Sequence, residues 1–517
     1  MNIVLIMADQ LAAGMLGCYG SGVDSTPTLD SLAEHGVQFN RCYATSPVCA
    51  PNRATMLTGR SPVIHGIITN NYVLATDMPT YAHVLQAYGY RTGGFGKFHQ
   101  TPMHYPVPEN VTYLGFDESV ISEDPKWGPW LDWVRRNHPE HYRAALSLAW
   151  PQWPNSPSPD EKQDCLDAQQ AYLQPLQDAS PWYLMHPSPL PPEVHDSTFI
   201  TDISLDFMQR HIAAHPDQPF FCHVSYVDPH DPYDPPEPYA SMYDPAEMDD
   251  PIPAEWLDQG FTALEQAQKF HIFDTIYDKP DIVRKLRALY HGSLRYLDDQ
   301  IARIVSYLKV ENLWEDTILV FTTDHGDLLG DHGQITKGVK PYDKSIRCPL
   351  IVAGGGTQPA VTERLTCTLD FYPTICDWAQ IPPEGRPPLE GKSFARHVAD
   401  GGDGAVWPEV SVAIGGAESV ITGDRWRLTR FLDDDKGQMI NLETDAAEQH
   451  NLYDDPLYQE KRQELLERLI YVMALPRRLP QYRNMPLING SKVPIRTDQL
   501  AAGTRYYPST TPPLLKE

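Results

Sequence analysis

Six apolar residues in a row, Ile3-Val4-Leu5-Ile6-Met7-Ala8, stop at Asp9. A strand-length run that is apolar on both faces reads as a strand buried in a parallel sheet. Downstream, helical and strand periodicities alternate. Helices are expected over Thr28–Gly36, over Cys49–Gly59 with Pro51 in the first turn, over Tyr81–Tyr88 and Ser204–Ala214, and over Ile282–Leu308, the longest. Strands are expected over Val37–Tyr43, Arg91–Gly96, Phe220–Val227 and Thr317–Thr323. This alternation predicts an α/β sandwich with a mostly parallel central sheet. Residues 100–200 break the rhythm. They hold six of the eleven Trp (127, 130, 133, 150, 153 and 182) and read as long loops and short helices over the ligand-binding face. After the linker Asp400-Gly401-Gly402-Asp403-Gly404 come short strands over Val410–Ile414, Ser419–Thr422, Arg425–Thr429 and Gln438–Leu442, then a helix over Pro456–Ala474. The chain therefore divides into a large domain (1–400), an α+β subdomain (401–475) and an extended arm (476–517). The arm lacks periodicity yet carries Leu479, Tyr482, Met485, Leu487, Ile488, Tyr506 and Tyr507. It is expected to lie on another surface, either that of its own large domain or that of a neighbouring subunit.

Composition narrows the function. With 21% charged and 41% hydrophobic residues the chain is globular, and 49 Pro predict stiff, irregular loops. A net charge of −27 argues against nucleic acid and anionic membranes as partners. An anionic substrate would then need a local site rich in Lys, Arg, His or metal. The eight Cys form no paired metal motif and read as reduced and mostly buried. The sequence opens without a basic leader or cleavage site, and no segment reaches membrane-spanning length. A cytoplasmic location is the simplest expectation.

The candidate chemistry starts at Cys49-Ala50-Pro51-Asn52-Arg53, followed by Leu57-Thr58-Gly59-Arg60. This resembles the type I sulfatase signature, Cys-x-Pro-x-Arg and then Leu-Thr-Gly-Arg, with Asn52 where Ser is common. The resemblance implies the alkaline-phosphatase-like sandwich, plus a small C-terminal antiparallel sheet with a packed helix. It also implies a maturation enzyme that oxidises Cys49 to formylglycine. Once hydrated, that residue offers one hydroxyl as nucleophile and a second that expels the ester, which a thiol does not.

Two acidic pairs follow strands: Asp9-Gln10 and Asp324-His325. An Asp after a strand is commonly a turn residue. In open α/β sheets, however, ligands gather at the carboxyl edge, where both pairs would meet around one divalent ion. Sulfatases typically carry Asp-Asp and Asp-Asn here; Gln10 and His325 are similar to the phosphonate monoester hydrolase branch and partly to choline sulfatases. Two carboxylates and an amide suit Ca²⁺, whereas an imidazole tilts the set toward Mn²⁺. Gly96-Lys97-Phe98-His99 resembles the family's Gly-Lys-Trp-His segment, which implies that Lys97 contacts a sulfate oxygen and His99 deprotonates the second hydroxyl. Asp228-Pro229-His230-Asp231-Pro232 resembles its Pro-His-x-Pro loop, with His230 facing the leaving group. Lys337 matches the Lys after the second metal pair, Arg53 would hold the hydrated nucleophile, and Asn70, by its spacing from Cys49, is a candidate contact to a substrate oxygen. The resemblance implies a hydrolase of small-molecule sulfate esters, and a homo-dimer or tetramer with the arm 476–517 at its interface. The alternatives are a phosphonate monoester or phosphodiester hydrolase on the same site, and a non-catalytic anion-binding protein that keeps Cys49 unmodified.

Overall fold

In the computed structural model, strand β1 (Asn2–Ala8) is wholly buried at the centre of a nine-stranded sheet. The structure describes the chain apart from residues 71, 102–109, 152–157, 255–278, 338–340, 401–406, 415, 433–434, 475–485, 488–490, 493–504 and 507–517. The other strands are β2 (Val37–Tyr43), β4 (Arg91–Gly96), β5 (Glu118–Ile121), β6 (Phe220–Ser225), β7 (Thr317–Thr323), β8 (Arg347–Gly354), β9 (Ala360–Thr362) and β10 (Thr366–Cys367), while β3 (Tyr72–Val73) stands apart. The order is β10-β2-β8-β7-β1-β6-β4-β5, with β9 on β2. All neighbours run parallel except β8, which is antiparallel to both β2 and β7. Two antiparallel steps restore direction, so β1, β2, β4, β6 and β7 all end at the same edge.

Strand alternation divides the core in two. Val4, Ile6, Phe95, Val224 and Phe321 face one side, where the helices Asp196–Ala214 and Pro280–Val310 pack. Ile3, Leu5, Met7, Phe221 and Val320 face the other, against the helices Cys49–Thr58, Tyr81–Ala87 and Phe371–Trp378. With both faces covered, β1 needs no polar alternation, which is why its sequence is a continuous apolar run.

Residues 100–200 hold more regular structure than expected. They supply β5 to the main sheet, the helices Pro129–Asn137 and Tyr142–Ser147, and the start of the helix Asp196–Ala214, which begins eight residues before the expected Ser204. Trp130 is buried and donates its indole N–H to the Val194 carbonyl, while Trp127 donates to the Trp150 carbonyl. Trp153 lies outside the described residues.

A separate antiparallel sheet follows, β11 (Glu409–Ile414), β12 (Ala417–Thr422), β13 (Trp426–Phe431) and β14 (Gly437–Asn441). The helix Gln459–Ala474 packs Leu465, Leu469 and Val472 onto Val420, Leu428 and Met439 of that sheet. The arm expected from residue 476 lies largely outside the described residues. Its described pieces are β15 (Pro486–Leu487) paired with β16 (Ser491–Lys492), and β17 (Arg505–Tyr506) paired with β3. Among the described residues no helix is long and apolar enough to cross a membrane.

Candidate active site

Five strand ends deliver the expected site residues to one edge. Asp9 and Gln10 follow β1, Lys97 and His99 follow β4, His230 follows β6, and Asp324 and His325 follow β7. Beyond β2 the chain turns into the helix that starts at Cys49. Gly96, at φ +94°, permits the closest approach: a Cβ there would fall 1.8 Å from the Ser225 carbonyl oxygen, to which the Lys97 N–H donates at 2.9 Å.

Arg53 fastens this edge. One turn along the helix from Cys49, its guanidinium donates to Asp324 Oδ2 at 2.8 Å, Asp9 Oδ2 at 3.0 Å, the Lys97 carbonyl at 2.7 Å and Ser225 Oγ at 2.8 Å. A planar fork with five donors suits this task, and a point-charged lysine would not replace it. Burial alone would raise the pKa of Asp9, but Lys97 and Arg53 outweigh it and hold the group well below the usual carboxylate range. Asp324 is likewise lowered, burial being outweighed by Arg53. Lys97 reaches Asp9 Oδ2 at 2.5 Å and both oxygens of Asp124 at 2.6 and 2.7 Å. Burial opposes its charge, yet Asp124 and Asp9 keep it fully protonated.

Cys49 is completely buried within this frame, with Sγ 3.1 Å from His325 Nε2 and 3.8 Å from Asp9 Oδ1. Burial and the Asp9 carboxylate push its thiol far above the ordinary cysteine value. Nucleophilic cysteines have the opposite environment, one that favours thiolate. Asn70 Oδ1 accepts the Ala50 N–H at 3.0 Å, which places Asn70 against the first turn of the helix.

Asp9, Cys49, Asp324 and His325 each offer a ligand atom, and these atoms lie within 4.8 Å of one another. His325 Nδ1 bonds to the Gly326 carbonyl at 2.9 Å, which leaves the Nε2 lone pair turned to the cluster, the tautomer a metal requires. The donor set therefore fits a divalent ion. Gln10 borders the cluster in a left-handed conformation (φ 60°), with its amide nitrogen on Asp231 Oδ1 at 3.0 Å and Asp327 Oδ2 at 2.8 Å and its oxygen accepting from Lys337. Lys337 Nζ also lies 3.0 Å from His230 Nε2, while His230 Nδ1 bonds to the Asp231 carbonyl at 2.7 Å. His230 thus presents one nitrogen to the site, next to a cation.

His99 is held in a left-handed conformation (φ 51°), and among the described residues neither ring nitrogen has a hydrogen-bond partner. Its N–H and that of Phe98 both donate to Glu123 Oε1, at 2.8 and 3.0 Å. Burial pushes the carboxyl of Glu123 up to about 7 from its ordinary 4.5. Between those values the folded chain binds more protons than the unfolded one, so stability falls as pH rises through that window and the penalty is complete above pH 7. At about 1.4 kcal/mol per pKa unit the penalty is about 3 kcal/mol. Glu123→Gln keeps the acceptor and loses the charge. Urea unfolding should show the variant gaining about that much on the parent between pH 4.5 and 8; parallel stability curves would refute the burial argument.

Several partners escaped sequence reasoning. Asp124, Glu123 and Asp327 secure Lys97, the His99 backbone and Gln10, and the first two follow β5, whose strand character went unrecognised. Asn52 is a buried junction: its oxygen accepts from Thr45 N and Oγ1, both at 3.1 Å, and from Thr368 Oγ1 at 2.6 Å, and its nitrogen donates to the Asp324 carbonyl.

Comparison with known proteins adds a lineage. The Sulfatase family profile matches residues 1–381, and the profile of the N-sulphoglucosamine sulphohydrolase C-terminal family matches residues 330–474. An arylsulfatase of Clostridium perfringens is 26% identical over 396 residues, 74% of this chain and 75% of its own length. A choline-sulfatase of Rhizobium meliloti is 27% identical over 470 residues, 88% of this chain and 83% of its own. The crystal structure of a phosphonate monoester hydrolase of Agrobacterium radiobacter has the same fold, with a TM-score of 0.72 at 23% identity, covering 92% of this chain and 96% of that one.

Proposed function

Because the chain belongs to the sulfatase family, we propose that it hydrolyses small-molecule sulfuric esters with residue 49 as nucleophile, after oxidation of Cys49 to formylglycine. The observation that carries this reading is the position of Cys49: buried between His325 and Asp9, in an environment that suppresses a thiolate, on the helix whose Arg53 gathers the strand ends. Hydrated formylglycine supplies one hydroxyl to attack sulfur and another to release the ester by C–O cleavage. A divalent ion held by Asp9, Asp324, His325 and the amide of Gln10 would lower the pKa of the attacking hydroxyl and offset substrate charge. The mixed nitrogen and oxygen donors suit Mn²⁺ better than Ca²⁺.

The chain's own groups divide the remaining work. Lys97 and Lys337 carry the positive charge that draws sulfate oxygens into a strongly acidic protein. Arg53 orients the nucleophile. His230, with Nε2 beside Lys337, gives the departing alcohol a proton. His99, whose ring nitrogens lack partners among the described residues, takes the proton that frees the bound sulfate. If His230 is that acid, His230→Ala should cost about 10²–10⁴-fold with poorly leaving alkyl sulfates and much less with 4-nitrophenyl sulfate. An equal loss in kcat/KM across leaving groups would assign it a binding role instead.

A second reading is phosphonate monoester or phosphodiester hydrolysis, favoured by the Gln10 and His325 variation and by the fold shared with a phosphonate monoester hydrolase. The ratio of kcat/KM for an aryl sulfate to that for an aryl phosphonate monoester decides between the two.

A further inference from the structure

We propose that the C-terminal subdomain sets the position of Lys337 in the active site, with Arg427 and Glu448 as the positioning residues. The proposal rests on the reading of Lys337 as a contact to the anionic half of the ester, which the sulfate and phosphonate readings share.

Arg427 lies on β13 and Glu448 beyond β14, and their side chains are only 1% and 3% exposed. Arg427 pairs with Glu448 at 2.7 Å and donates to Gln438 Oε1 at 2.8 Å. The same guanidinium also leaves the subdomain and donates to the Pro341 carbonyl. Glu448 reaches out as well: its Oε2 accepts the Asp343 N–H at 2.7 Å. Between these two anchors Arg427 stands 5.6 Å from the Tyr342 ring, a cation facing an aromatic. One buried charge pair thus holds three consecutive residues of the large domain. Such a pair rarely stabilises a fold more than well-packed apolar residues of its size, so its use here lies in the geometry it imposes. Glu448 also keeps a left-handed backbone (φ 54°), which a glutamate adopts only where its surroundings fix it.

The held segment braces the loop from Gly326 to Lys337. Tyr342 stacks on His332 of that loop, with ring centroids 3.7 Å apart and planes within 3° of parallel. Lys344 pairs at 2.5 Å with Asp331, whose other oxygen takes Arg287 at 2.6 Å. The Ser345 carbonyl accepts the Gly326 N–H at 2.9 Å. The approach there is so close that a Cβ on residue 326 would fall 1.9 Å from the Lys344 carbonyl oxygen. Within the loop the Leu328 N–H donates to the Thr336 carbonyl at 2.8 Å, which ties the residue before Lys337 to the braced end. Lys337 closes this series of contacts, against Gln10 and His230. A displacement of about 1 Å in a group that meets the substrate can cost about 10²-fold in rate.

The test is a double-mutant cycle in kcat/KM, with 4-nitrophenyl sulfate and 4-nitrophenyl phenylphosphonate as substrates. Arg427→Met should lower kcat/KM by about 10- to 100-fold. With Lys337→Ala already in place, the same substitution should cost no more than about 2-fold, because the group it positions is gone. Arg427→Lys keeps the charge but loses the fork that spans Glu448 and Pro341, and it takes the place of Arg427→Met in the cycle should that variant fail to fold. Losses that multiply would overturn the proposal. So would an equal loss from Arg425→Ala, since Arg425 joins the same subdomain to Glu363 instead. Turnover of the phosphonate alone would sink the sulfatase reading and leave the cycle to be read on that ester. Turnover of neither ester would sink the proposal together with both readings.

Discussion

Cys49→Ala should abolish sulfate-ester turnover, with a fall in kcat of about 10⁶-fold, the scale seen when a covalent nucleophile is removed, and should leave the fold intact. The Cys49 sulfur makes two hydrogen bonds, with His325 Nε2 at 3.1 Å and Asp9 Oδ1 at 3.8 Å, while the charged bonds that join the strand ends belong to Arg53 and Lys97. In active wild-type protein, peptide mass spectrometry should find residue 49 lighter than cysteine and resistant to thiol alkylation. A fully alkylatable Cys49 in an active preparation would remove formylglycine from the mechanism. It would leave the buried, protonated thiol as the nucleophile, against everything around it.

Asp324→Ala should have the next largest effect, and on two observables at once. It takes one carboxylate from the donor cluster and the partner of Arg53 Nε, and it strips the acceptor of the Gln10 and His325 N–H groups at 3.1 and 2.9 Å. Metal content by elemental analysis should drop to background, and activity with it. Stability should fall by about 3–5 kcal/mol, the usual cost of breaking a buried ion pair from one side. Asp324→Asn separates the two effects, since an amide oxygen can still accept the backbone N–H groups. It should lose the metal and keep more of the stability. A variant that retained stoichiometric metal would exclude Asp324 as a ligand.

Much of this site was legible because the chain repeats one device: an apolar strand and then a polar residue at its carboxyl end. Ala8 to Asp9, Gly96 to Lys97 and Thr323 to Asp324 all show it, and the strands Arg91–Gly96 and Thr317–Thr323 were placed to the residue. What escaped lacked a local signal. β8 contains Pro349, which usually excludes a central strand. The structure accommodates it where the β2–β8 register slips between Phe39 and Cys42, so the missing N–H falls in a bulge. β5 reads Glu-Ser-Val-Ile, short and half polar, as an edge strand can be. With it went Glu123 and Asp124, whose partners lie 24 to 27 residues away. The helix Asp196–Ala214 opens on Ser and Thr buried between layers, which weakens its amphipathic signature.

The Arg53 junction also bears on how this lineage can lose its activity. A residue that joins Asp9, Asp324, the Lys97 backbone and Ser225 cannot drift without unfolding the edge of the sheet, so selection for mere foldedness guards it even where catalysis no longer matters. Cys49 enjoys no such protection. Inactive descendants that survive as anion-binding proteins should therefore diverge first at position 49 and keep Arg53 and its carboxylates, so that an intact charge cluster in a distant homologue is evidence of a preserved scaffold, and the residue at position 49 alone tells whether the chemistry persists.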